Sequence, residues 1–209
     1  MIYGLLGDIH GHYDELQRVF DRYPLVDYWL QVGDLGDVNK EYPKFPDNFY
    51  FIQGNHENWG LIYGIPGYLR NGSYKNIGDC CVASMGGNYS PKNYDLKREN
   101  LSPNRRKHFL KEEFDSLYSR VSEYKADILI THEAPSPFRK REGYSDSGQP
   151  LLTDLLKSIK PKIHFFGHHH YFGIYEYDGN VSIGLEYGFK SVVFYDSENN
   201  QIRKEDVEN

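Results

Sequence analysis

Short apolar runs separated by polar, glycine-marked breaks recur along the chain. Ile2 to Leu6, Val26 to Val32, Phe49 to Ile52, Asp127 to Thr131 and Ile163 to Phe166 are too short for stable helices and rich in β-branched or aromatic side chains. They read as buried strands. Between them lie stretches of helical period. His12 to Tyr23 places Leu16, Val19 and Phe20 on one face. Ser102-Pro103 makes a capping residue followed by proline at the first helical position, which predicts a helix to about Ser122 burying Phe109, Phe114, Leu117 and Val121. Leu151 to Ile159 predicts a further short helix, and Asn55 to Tyr63 the start of one that carries His56. Ser73 to Ser84 reads as a hairpin turning at Asn76 to Asp79. The tail from Gly173 to Ile202 alternates apolar and polar residues, with turns at Asp178-Gly179-Asn180 and Glu198-Asn199-Asn200. It is expected to supply antiparallel strands that close a second sheet. Met85 to Arg106 and Glu133 to Gln149 read as long polar loops, a type usually kept for function. Strands alternating with helices give an α/β fold: two mixed sheets face to face with helices outside, in a single domain over residues 1–209.

Composition narrows the function classes. A chain of 209 residues can bury one sizeable core. The formal net charge of −6 gives no overall field that would attract polyanions, so any nucleic-acid contact must be local. No apolar run is long enough to span a bilayer, so no membrane association is expected. Met1-Ile-Tyr-Gly leads straight into a strand with no basic segment before it, which reads as the absence of a signal peptide. Cys80 and Cys81 are adjacent, and neighbours in a strand point to opposite faces, so they read as two reduced thiols. A cytoplasmic location is the expectation.

Candidate chemistry sits just past the strands. Gly7-Asp-Ile-His-Gly11, Gly33-Asp-Leu-Gly-Asp37, Gly54-Asn-His-Glu57, Thr131-His132 and Gly167-His-His-His170 each follow an apolar run. In an α/β sheet, sites form at the carboxyl ends of the strands. Carboxylates, imidazoles and an amide converging there suit divalent cations. Any one of these residues taken alone is more often a turn or loop residue; the ordered set of five carries the argument.

The set resembles the calcineurin-like metallophosphoesterases, from Asp8 to His170. The resemblance implies a four-layer α/β/β/α sandwich of two mixed sheets flanked by helices, and two divalent ions (Mn, Fe, Zn or Ni). It implies Asp8, His10, Asp34 and His170 around the first ion and Asp34, Asn55, His132 and His168 around the second, with Asp34 bridging. It further implies phosphate-ester hydrolysis by a hydroxide bridging the two metals, with His56 as general acid. Asp37 is expected to hydrogen-bond His56 and keep it charged. Glu57 is expected to support the site without ligating, and His169 to stay outside the ligand set.

Two departures bear on substrate. Relatives that are protein phosphatases carry an arginine directly after the second acid of the second motif; here Val38-Asn39 follows Asp37. Substrate anions are then expected to meet the loops, with Asn88, Tyr89, Lys92, Arg98, Arg105 and Arg106 as candidates and Arg139, Lys140 and Arg141 as further basic groups. The stretch from Met85-Gly86-Gly87 through Thr131-His132-Glu133 is similar to RNA lariat-debranching enzymes, although those have cysteine where this chain has Asp8. The reading is a phosphodiesterase or phosphatase whose substrate is a phosphate ester, with a nucleotide or nucleic acid as the alternative. A metal-binding scaffold without catalysis is the competing class, and a retained His56 speaks against it because a scaffold needs no general acid.

Overall fold

The computed structural model describes residues 1–140 and 142–207. Among the described residues, two sheets are built from eleven strands. The first runs β11-β10-β1-β2-β3, where β1 is Ile2–Leu6, β2 Tyr28–Gln31, β3 Phe49–Phe51, β10 Ser191–Asp196 and β11 Gln201–Asp206. The second runs β4-β5-β6-β7-β9-β8, where β4 is Ser73–Ile77, β5 Cys80–Met85, β6 Ile128–Thr131, β7 Ile163–Phe166, β8 Gly173–Tyr177 and β9 Asn180–Gly184. The strands β1, β2 and β3 are mutually parallel, as are β5, β6, β7 and β9. The first sheet is antiparallel on its β10–β11 side, and the second ends in an antiparallel strand at both edges. The fold is α/β with two mixed sheets.

Three large cores and a small cluster of Ala134, Phe138 and Phe166 hold the layers together. Between the sheets, Leu5, Leu30, Val32 and Val193 meet Val82, Ile128, Ile130, Phe165 and Ile183. Strands buried on both faces are apolar at most positions, with hydrogen-bonded exceptions such as Gln31 and His164, which is why these runs lack clean alternation. Helix α1, Tyr13–Arg22, places Leu16, Val19 and Phe20 on the outer face of the first sheet against Trp29 and Phe49. Helices α2, Lys111–Tyr118, and α3, Pro150–Ile159, cover the second sheet with Phe114, Leu117, Leu152, Leu155 and Leu156. Among the described residues no helix is long and apolar enough to cross a membrane. Cys80 and Cys81 are both free thiols.

Three expectations change. The predicted helix from Ser102 is broken: Pro103–Arg105 is a short 3-10 turn, and α2 begins only at Lys111. The intervening backbone is diverted, because Asn88 N–H donates to Lys107 O and Phe109 N–H to Asn88 O. Phe109 is still buried, from the loop and not from a helix face. No α-helix starts at Asn55; the segment turns repeatedly and makes one 3-10 turn at Ile62–Gly64. The side chains of Asp34 and Glu57 take the N–H groups there that a helix start would leave free. Finally, the tail divides. The β8–β9 hairpin joins the second sheet, while β10 and β11 return to the first beside β1.

Candidate metal centre and active site

The loops after β1, β2, β3, β6 and β7 converge at one edge of the sandwich. Their side chains fall into two groups, Asp8 with His10 and His170, and Asp34 with His132 and His168; within each group the potential ligand atoms lie within 4.8 Å of one another. In the first group, His170 Nε2 lies 2.8 Å from Asp8 Oδ2, and His10 Nε2 lies 3.2 Å from His170 Nε2. In the second, His132 Nε2 lies 3.0 Å from Asn55 Oδ1 and 3.5 Å from Asp34 Oδ1. The other oxygen of Asp34 turns to the first group, 3.7 Å from His10 Nε2. One carboxylate therefore faces both groups.

The backbone is bent to achieve this. His10, Asp34, His168 and His170 all have positive φ, between 50° and 66°. Non-glycine residues rarely adopt that region, and clusters of them mark sites held in place by their surroundings. Gly33 lies at φ 98°, where a Cβ would sit 2.6 Å from His132 Nδ1. Glycine here lets the second strand's loop pass beneath the imidazole.

Donor chemistry fits a cation. His132 Nδ1 lies 2.9 Å from Val32 O, an acceptor only, so Nδ1 carries the proton. Its unprotonated Nε2 then points a lone pair at the oxygens of Asn55 and Asp34. Three lone-pair donors aimed at one another are mutually repulsive unless a cation lies between them. Burial pushes His168 down to about 4 and lowers His132, so both imidazoles are neutral and ligand-competent at neutral pH. Burial and the neighbouring Asp8 carboxylate push Asp34 up to about 7. Burial would also raise Asp8, but hydrogen bonding to His10 and His170 overcomes it and keeps Asp8 ionised.

Two carboxylates brace the loops reciprocally. Asp34 Oδ1 accepts from the N–H groups of Asn55 (2.5 Å) and His56 (2.7 Å). Glu57 reaches back and accepts from Leu35 N–H (3.1 Å), Gly36 N–H (2.9 Å), Gly54 N–H (3.1 Å) and the Tyr42 hydroxyl (2.7 Å). Glu57 is fully buried. Burial and Asp34 push its carboxyl up to about 8, against four donors that favour the charged form. Above about pH 8, where the carboxyl is ionised, Glu57→Gln replaces an acceptor by an amide N–H that faces backbone donors. It should cost about 2–4 kcal/mol, roughly 4–16 °C in Tm for a chain of this size. Thermal unfolding of the variant measures this, and an unchanged Tm would show that the clasp contributes nothing.

The remaining sequence candidates divide. His56 is exposed, with its ring 5.4 Å from that of His10, so it stands at the open side of the first group. Asp37 is also exposed, and among the described residues no hydrogen bond joins it to His56, contrary to expectation. His169 packs on Phe138 (4.2 Å) with Nε2 buried and unbonded, outside both groups.

Arg98 is not free for a substrate. It donates to Glu113 Oε1 from both Nε (3.0 Å) and Nη2 (2.5 Å), to Arg106 O and to His108 O. Tyr89 packs with Tyr94 and Phe109, while its N–H donates to Glu133. Arg106 stacks over Tyr63 at 5.6 Å, and Arg105 is exposed. Asn88 follows β5, with its Oδ1 buried and without a hydrogen-bond partner. Lys92, Arg139 and Lys140 are exposed; Arg141 lies outside the described residues.

Sequence reasoning missed Gln53. Its Nε2 donates to Arg106 O (2.9 Å), its Oε1 accepts from Tyr68 (3.0 Å), and its backbone O accepts from Gly87 N–H (2.9 Å). It ties the 85–110 loop to the strand end before Asn55. A lone polar residue at the end of an apolar run was the available signal.

Comparison with known proteins agrees with this fold. The structure of a Thermus thermophilus protein, TT1561, superposes with a TM-score of 0.72 over 99% of both chains at 10% identity. An archaeal phosphodiesterase gives 0.51 over 99% of both at 13% identity. These likenesses speak to the fold. The lariat debranching enzyme of Schizosaccharomyces pombe is 26% identical over 194 residues; the match takes in 78% of this chain but only 42% of that enzyme. The calcineurin-like phosphoesterase model matches residues 1–172, a span that takes in every strand-end motif from Asp8 to His170, and the chain belongs to that family.

Proposed function

We propose that the chain is a divalent-metal-dependent phosphoesterase, with Asp8, His10, Asp34 and His170 around one ion and Asp34, Asn55, His132 and His168 around a second. The observation that carries this reading is the placement of Asp34, whose two oxygens face the two groups separately. When bound, such an ion pair supplies a nucleophile from water near neutral pH and neutralises the ester oxygens. The chain's own part is positioning and proton transfer. Asp34 sets the spacing of the two groups, and its Oδ1 fixes the backbone of Asn55 and His56. His56, exposed beside the first group, donates a proton to the leaving oxygen.

Diester substrates are favoured within this reading. A monoester dianion gains most from a fixed bidentate guanidinium, and the position after Asp37 holds Val38. With Arg98 committed to Glu113, the substrate-facing set reduces to Asn88, Arg105 and Arg106, with Tyr89 as packing beneath them. The similarity to a lariat debranching enzyme over most of this chain favours a nucleotide or RNA diester as the natural class.

A substrate panel with added Mn²⁺ tests both levels: an aryl phosphate, an aryl phosphodiester, cyclic and dinucleoside nucleotides, and a branched RNA. Diester hydrolysis should equal or exceed monoester hydrolysis, and exhaustive chelation should abolish both. Activity that survives chelation would remove the metal mechanism. An aryl monoester turned over far faster than every diester would replace the diester reading.

A further inference from the structure

Tyr187 and Phe189, on the loop between β9 and β10, have no role in the reading above. That loop is docked on the first metal-binding loop: Gly188 N–H donates to Asp8 O at 3.1 Å, and the carbonyl of Tyr187 accepts from Lys190 N–H and Ser191 N–H. Gly7 permits the approach, because a Cβ there would collide with the carbonyl of Glu186. The Tyr187 ring is thereby fixed against His170, with centroids 4.2 Å apart and planes 27° apart. Phe189 lies beside Tyr187 at 5.3 Å and 26°, and His12 beside Phe189 at 4.6 Å and 35°. Four rings thus lead from the first group to the half-exposed His12 side chain.

Core packing does not account for this array. Neither Tyr187 nor Phe189 belongs to any of the hydrophobic clusters that hold the layers together, and both are only partly buried. Tyr89, by contrast, packs into the core above the second sheet. The Tyr187 phenol makes no hydrogen bond among the described residues. The Lys190 ammonium lies 5.2 Å from the Tyr187 centroid, a cation on an electron-rich ring. Lys190 is exposed, so its ammonium can leave the ring for an entering anion.

Partly exposed rings in near-parallel array beside an anion-binding centre, with an exposed lysine over one of them, fit one ligand chemistry: a planar heteroaromatic group carried on a phosphate ester. We propose that Tyr187 and Phe189 form a stacking wall for the base of a nucleotide ester, which makes this centre selective for nucleoside over simple alkyl phosphates. The proposal rests on the phosphoesterase reading and adds the class of group that the ester carries. Every base offers a π-face, so the wall selects bases as a class and not one base.

Two esters with the same leaving group and charge test it: thymidine 5′-(p-nitrophenyl phosphate) and methyl p-nitrophenyl phosphate. The Mn²⁺-loaded enzyme should show a KM about 10-fold or more lower for the thymidine ester, the usual scale of one stacked base. Phe189→Leu and Tyr187→Leu should each shrink that ratio toward one, and Tyr187→Phe should keep it. Binding is read independently by calorimetry with thymidine 5′-monophosphate and ribose 5-phosphate, where the same discrimination should appear in Kd and fade in both leucine variants. Equal Kd values for the two monophosphates on the unmodified protein would overturn the proposal. So would a preference undiminished in both variants. Failure to hydrolyse either ester, with the calorimetric preference intact, would instead remove the phosphoesterase reading and leave the base site standing.

Discussion

Asp34→Asn should weaken binding of both ions, each by more than about 100-fold, since loss of even an outer partner of a ligand costs about 10–100-fold in metal affinity. The reason is the division of its two oxygens, one facing the His10 side and one facing His132. The same oxygen that faces His132 also accepts from the N–H groups of Asn55 and His56. The substitution therefore disturbs both candidate ligand groups and the loop that carries His56 together. Asp8→Asn and His168→Ala, which touch one group each, should leave one ion closer to its original affinity. Calorimetric titration with Mn²⁺ or Zn²⁺ measures both stoichiometry and affinity. Retention of two ions at near-normal affinity in Asp34→Asn would contradict the bridging role.

The same carboxylate predicts a pH dependence for the unmodified protein. Burial and Asp8 place the metal-free Asp34 carboxyl at about 7, above its ordinary value, so it holds a proton below that pH. A cation must displace that proton before it can bind. Affinity at the second site should accordingly rise with pH up to about 7 and level off above it, while at the first site His10, raised above its ordinary value by its hydrogen bond to Asp8, must lose a proton as well. His168, held near 4, is already neutral throughout that window and adds no step. Proton release measured in two buffers at pH 6 and pH 8 should be larger at the lower pH.

The second large effect falls on His56. His56→Ala should retain both ions, because the imidazole belongs to neither ligand group. It should slow hydrolysis of a nucleoside or alkyl diester by about 10²–10⁴, the usual contribution of a general acid. An ester whose leaving group is an acidic phenol needs little proton donation and should lose far less. Comparing kcat for the two esters in the variant separates proton transfer from a structural role. Equal losses, or loss of a metal ion, would assign His56 to the scaffold or to the ligand set.

The Arg98 result shows how loop residues mislead when read from sequence. A basic residue in a polar loop beside a phosphoesterase site looks like an anion contact. In the folded chain Arg98 pairs with Glu113 and donates to the carbonyls of Arg106 and His108. It braces the loop that displays Arg105 and Arg106, so Arg98→Ala should act on those residues indirectly.

What the sequence determined by itself is the frame and the set of candidate ligands at one sheet edge. Strands of a sandwich are buried on both faces, so they appear as short apolar runs, and the residues after them fall at the sheet's carboxyl edge. Asp8, Asp34, Asn55, His132 and His168 could be placed there because position along a strand is a local property. Tertiary structure decided whatever depends on partners distant in the chain. The helix predicted from Ser102 was diverted because its backbone pairs with Asn88, and the tail strands split because β10 found the free edge of β1. Glu57 became a clasp across two loops, and Asp37 was left without His56. The Tyr187–Phe189 wall was invisible for the same reason: an aromatic pair in a turn has no period, and only the docking of that turn on Asp8 sets it beside the site.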